Sequence, residues 1–126
     1  MPMRVVTFKV SRRLVYRLDD AAVYYRMSRS EAIRRALVEF IEEPPVRLEA
    51  PVEVLEAPVR IVSVKIPEDL LEAIDKLRFN RYRGAHRSEL IREAIWRWLE
   101  KHQPRIKLKI IALREPPAPT RYLAID

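Results

Sequence analysis

A nine-residue stretch occurs twice in this chain, as Ser28-Arg29-Ser30-Glu31-Ala32-Ile33-Arg34-Arg35-Ala36 and as His86-Arg87-Ser88-Glu89-Leu90-Ile91-Arg92-Glu93-Ala94. Whatever the chain folds into must accommodate one unit used twice, so this repeat constrains everything around it. Each copy sets a polar pair, a serine and a glutamate directly before apolar residues at helical spacing, the pattern of an exposed helix N-terminus. Ser28 and Glu31 have capping-box spacing, whereas His86 is a poorer choice at the second cap. Backbone N–H groups left free at such an end attract phosphate, although a cap can also serve the helix alone.

Around the repeated stretch, the order strand, helix, helix recurs. Val6, Phe8 and Val10 fall on one face of an extended segment over residues 4–10, and Val5, Thr7 and Lys9 on the other. Ser11 then caps a helix carrying Leu14, Leu18, Ala21, Ala22 and Tyr25 on one stripe. A second helix over residues 29–42 turns Ala32, Ile33, Ala36, Leu37, Phe40 and Ile41 inward, and Pro44-Pro45 stops it. In the second copy Val62, Val64 and Ile66 alternate with Ile61, Ser63 and Lys65, and Pro67 opens the helix that carries Leu70, Ile74 and Leu77. The offset between copies is 56 residues there and 58 from Ser30 and Ser88 onward. The second copy therefore has two extra residues around Arg83-Gly84-Ala85, where Gly84 suits a left-handed position. Leu90, Ile91, Ala94, Ile95, Trp98 and Leu99 line the last helix, which the sequence ends before Pro104; Trp96 falls off that stripe.

One strand and two short helices leave both strand edges open and a marginal core, so the copies are expected to complete each other. The expected fold class is mainly α with a short β-ribbon (α+β): an antiparallel pair of strands over four helices. The organisation is a first unit at 1–42, a Pro/Glu-rich linker at 43–59, a second unit at 60–103 and a tail at 104–126.

Charge and cysteine content restrict the chemistry. There are 25 Lys+Arg against 18 Asp+Glu, which makes a polyanionic partner the first to consider. The excess lies in the two units and the tail, while residues 43–59 carry four acidic groups against one basic. Without cysteine there is no thiolate nucleophile or metal ligand, and two histidines are too few for a metal cluster. No nucleophile or paired carboxylates surround His86, so no catalytic residue, metal or cofactor is expected. No apolar run is long enough to cross a bilayer, and the N-terminal segment does not read as a leader; the expected location is cytoplasmic, with the nucleoid. High Arg and Glu content with ten prolines and one glycine suggests a thermophilic source.

The strand, helix, turn, Ser/His-Arg-Ser-Glu and helix order, with Asp19 and Asp75 in the first helix of each copy, resembles the ribbon-helix-helix family of DNA-binding proteins. The resemblance covers residues 4–42 and 60–101, and is strongest in Lys65-Ile66-Pro67 and Arg87-Ser88-Glu89-Leu90-Ile91-Arg92-Glu93-Ala94. Family members usually carry one copy and dimerise, so this chain resembles a dimer fused into one polypeptide. The resemblance implies a transcriptional repressor that places the ribbon's outward face in the major groove of double-stranded DNA. Val5, Thr7, Lys9, Ile61, Ser63 and Lys65 would read bases. The second-helix starts, Ser28, Arg29 and Ser30 with His86, Arg87 and Ser88, would hold phosphates, helped by Arg4 and Arg60. Val-Thr-Lys facing Ile-Ser-Lys allows a site whose halves differ.

Two segments lie outside the resemblance. The linker repeats Leu-Glu-Ala-Pro-Val at 48–52 and 55–59, and at roughly 3.3 Å per extended residue it reaches far enough to join the copies within one molecule or to let two chains exchange them. Residues 105–113 alternate basic and apolar side chains, which predicts a strand pairing Lys107 and Lys109 with Glu49, Glu53 and Glu56 of the linker. Self-association through the linker or residues 104–126 is a further expectation. An antitoxin whose tail binds a toxin partner, and a non-specific architectural DNA-binding protein, are the competing readings.

Overall fold

The computed structural model describes residues 2–51 and 58–114, with the backbone alone over 103–114. Strand β1 (Met3–Ser11) leads into α1 (Arg12–Tyr24) and α2 (Arg29–Glu42); β2 (Val59–Pro67) then leads into α3 (Glu68–Asn80) and α4 (Arg87–Arg114). The strands pair antiparallel in a two-stranded ribbon, with Val5 opposite Lys65, Thr7 opposite Ser63 and Lys9 opposite Ile61. Period-two alternation buries Val6, Phe8, Val10, Val62, Val64 and Ile66 against the helices and leaves the other face to solvent. The ends of the ribbon close the same way on both sides: the Arg12 N–H donates to the Pro58 carbonyl at 2.8 Å, and the Glu68 N–H to the Pro2 carbonyl at 3.1 Å.

The local chemistry that starts each helix is visible. The buried Ser11 hydroxyl accepts the Leu14 N–H at 3.0 Å, and Ser28 with Glu31 forms a complete capping box. Helix α3 starts at Pro67 without a side-chain cap, and Glu68 and Asp69 in its first turn complement the helix dipole. The turns from first to second helix each pass through one left-handed residue, Arg26 (φ 56°) and Gly84 (φ 88°). Counting from these two, the extra residues of the second turn are Tyr82 and Arg83. Tyr82 turns inward, packs on Phe40 and donates its hydroxyl to the Pro45 carbonyl; Arg83 turns out.

Beneath the ribbon, α2 and α4 each pack against α1, and α3 packs against α2 and α4. Most of the stripes read from the sequence are core, with Val15 and Leu71 as additional members at matching positions of the two halves, while Tyr25, Ile41, Leu70 and Leu77 are only partly buried. Truncating a fully buried member such as Ile33 or Leu37 to alanine costs about 2–5 kcal/mol.

One expectation is corrected. Helix α4 does not end before Pro104, and residues 105–113 are not a strand: the helix continues to Arg114. Pro104 has no N–H to offer the carbonyl of Glu100, which weakens the helix there. Beyond it, Leu, Lys, Arg and Ala are strong helix formers, and lengthening an existing helix avoids the cost of nucleation. A basic-apolar alternation this short fits either structure, so period alone misreads it. Glu53 and Glu56 of the expected pairing, and the tail beyond Arg114, lie outside the described residues.

The linker is also more than a spacer. Glu93 on α4 is 1 % exposed, and its carboxylate accepts the N–H groups of Glu49 (2.9 Å) and Ala50 (2.8 Å) while pairing with Arg97 at 2.6 Å. Arg97 also donates to the Arg47 carbonyl at 3.1 Å. Residues 47–50 are thereby fastened along α4, a buried charge satisfied by backbone donors and one guanidinium.

Candidate nucleic-acid interface

The outward face of the ribbon carries Val5, Thr7 and Lys9 from β1 and Ile61, Ser63 and Lys65 from β2, all exposed. The register sets Thr7 and Ser63 side by side at its centre, where their hydroxyls share a hydrogen bond of 2.9 Å. Lys9 and Lys65 then lie on diagonally opposite sides of that centre, each beside an aliphatic side chain of the other strand. Val5 is 63 % and Ile61 68 % exposed, so this face offers hydroxyls, two ammonium groups and two bare hydrocarbon patches. Such a face can meet a surface that presents both hydrogen-bonding edges and methyl groups.

Two arginines that sequence reasoning missed hold the ribbon in place. Arg34 of α2 donates to the Lys65 carbonyl at 3.1 Å, and Arg92 of α4 donates to the Lys9 carbonyl at 2.9 Å. Each reaches from one half of the chain to a strand of the other, touching the backbone of a lysine on the exposed face. Burial lowers the Arg92 pKa from its usual value, opposed by the nearby Glu89, and leaves a cation wedged against the ribbon. The available signal was positional: Arg34 and Arg92 occupy the same place in the repeated stretch.

At the helix starts, Arg29 and Arg87 do not project freely. Arg29 makes two hydrogen bonds of 2.8 Å to Asp19, and Arg87 two bonds of 3.0 and 2.7 Å to Asp75. The bonds to the aspartates raise both guanidinium pKa values, against an opposing effect of burial. Each pair ties the start of a second helix to the preceding helix. Ser28 is exposed and its hydroxyl is engaged in the cap, while the His86 side chain is exposed and its backbone N–H is taken by Glu89 at 2.8 Å. Ser30 and Ser88 lie half-buried in the first turns, and Arg4 and Arg60 are exposed near opposite ends of the ribbon. The structure thus gathers the six strand residues on one face, and each second helix reaches a strand of the other half through Arg34 or Arg92.

Residues 60–102 match the family described as ribbon-helix-helix protein, copG family. Over 43 residues, 34 % of this chain and 73 % of the relative, the sequence is 44 % identical to Uncharacterized protein ORF59b of Acidianus two-tailed virus. Through residues 60–102 the chain belongs to the ribbon-helix-helix family. This is a family of DNA-binding regulators and not of enzymes. No solved structure matches the chain. In ribbon-helix-helix terms, β2, α3 and α4 are the matched module, and β1 supplies the second strand of its ribbon. No described helix is long and apolar enough to cross a membrane.

Proposed function

We propose that this chain is a sequence-specific double-stranded DNA-binding protein that inserts its ribbon into the major groove, and that it represses transcription by occupying its site. Residues 3–42 act in this reading as a diverged second copy of the module, so that one chain forms an intrachain pseudo-dimer. The carrying observation is the ribbon register, which sets matching residues of the two copies about the Thr7–Ser63 pair. That arrangement is what a site with two related halves requires.

Lys9 and Lys65 donate to guanine O6 and N7, the central hydroxyls adjust to either base type, and Val5 and Ile61 rest on thymine methyl groups. Phosphates on either side meet the backbone N–H groups near Ser28, Arg29 and Ser30 and near His86, Arg87 and Ser88. Arg29 and Arg87, bound to their aspartates, hold those helix starts at the right height, while Arg4 and Arg60 add free charge. Methylation interference on a bound duplex tests the groove. Methyl groups at guanine N7 block binding in this reading, and methyl groups at adenine N3 in the minor groove do not; the reverse pattern contradicts it.

A further inference from the structure

The two halves of the molecule differ most at the turn between first and second helix. In the first half, α1 ends on Ala22, Val23 and Tyr24, and the turn carries one cation, Arg26. At matching positions the second half has Arg78, Phe79 and Asn80, followed by Arg81 and by Arg83 within the two-residue insertion. Arg81 and Arg83 are exposed and make no side-chain ion pair or hydrogen bond among the described residues. Arg78, Phe79, Arg83 and His86 line an open depression of about 720 Å³, with Phe79 70 % exposed and the Arg78 guanidinium 5.6 Å from the centre of its ring. Asp75 is bound by Arg87 and lies 3.8 Å from Arg78, and Glu89 is taken by the His86 N–H.

The turn is fixed relative to the ribbon. Tyr82 anchors it from inside through Pro45, Arg87 pins its far end to Asp75, and five residues further on Arg92 reaches the Lys9 carbonyl. Two exposed arginines without an ion-pair partner among the described residues, Arg81 and Arg83, are therefore held beside the start of α4, next to the proposed DNA face on one side only.

We infer that the α3–α4 turn is a second, one-sided DNA-backbone site. Arg81 and Arg83 contact phosphates beyond those held at the helix start, and Phe79 covers the adjoining sugar. Contacts with the backbone position a protein without reading sequence. The site therefore gives a nearly symmetric reading face a lopsided footprint, longer on the side of the second copy. This inference rests on the DNA-binding reading.

The test compares the intact chain with an Arg81→Gln/Arg83→Gln variant and with Arg26→Gln, measuring affinity for one bound duplex across a salt series. Each lost phosphate contact makes the slope of log affinity against log salt shallower by about 0.9. The double variant is expected to lose nearly two units of slope and Arg26→Gln at most one, with thermal unfolding of all three unchanged because the side chains are exposed. Asn80→Cys, the lone thiol in a chain without cysteine, carries a DNA-cleaving label and is expected to cut outside the base-contacted region. An unchanged slope in the double variant, with DNA binding intact, overturns this site while leaving the ribbon reading in place. Failure of the intact chain to bind duplex DNA overturns both.

Discussion

In the proposed function, Lys9 and Lys65 are the residues on which base reading turns. Each ammonium stands clear of the surface, while the backbone that carries it is held by an arginine from the opposite half. Lys9→Ala or Lys65→Ala is expected to weaken the preferred duplex by about 1–3 kcal/mol more than a random one, the difference that one good base contact makes. Equal losses on both duplexes, read by competition binding, would make these lysines phosphate contacts. Tyr82 gives a pH prediction. Burial raises its phenol pKa, so the folded state holds the proton more tightly than the unfolded chain. Its stabilising contribution is complete below the ordinary tyrosine pKa of about 10 and is lost as pH rises through the folded value. Melting temperatures should fall above about pH 10, and Tyr82→Phe should flatten that fall. The inward alternation of Val6, Phe8, Val10, Val62, Val64 and Ile66 was legible in the sequence, because period two has one meaning on a ribbon with a single covered face. Arg34 and Arg92 were not, because a hydrogen bond from a helix to a distant carbonyl leaves no periodic trace.

Among the elements, α2 and α4 start alike and end differently. The starts were readable from Ser28, Glu31 and the repeated stretch, since capping is local chemistry. The end of α4 was not readable, since Pro104 argues for a stop and only the helix propensity of the following residues and the helix already formed argue against it. The linker's docking was equally hidden, because Glu93 looks like any surface glutamate until Glu49, Ala50 and Arg97 close around it. Glu93→Ala strands two backbone donors and a guanidinium, and is expected to cost about 3 kcal/mol, by the measure of a broken buried ion pair. Urea unfolding checks this; a change below about 1 kcal/mol, the size of an exposed pair, would show that the carboxylate does not fasten the linker.

At the scale of the molecule, one chain supplies both strands of the ribbon, and in the proposed pseudo-dimer the core is then complete without a partner chain. A fused arrangement of this kind should unfold with a midpoint independent of protein concentration, whereas two chains that exchange copies would gain stability as concentration rises. In the proposed pseudo-dimer, fusion also frees the halves to differ, and the sequence differs between them at Thr7 against Ser63, Val5 against Ile61 and most of all at the two turns. In the proposed function a single chain presents one two-stranded reader to the major groove. Selection of bound sequences from a random duplex pool at about 0.15 M salt, with the mass of each complex recorded, tests it most directly. Convergence on a short site with two related halves, bound by one chain, is the predicted result. Tight binding without convergence, or a complex that needs two chains for each ribbon, would contradict it.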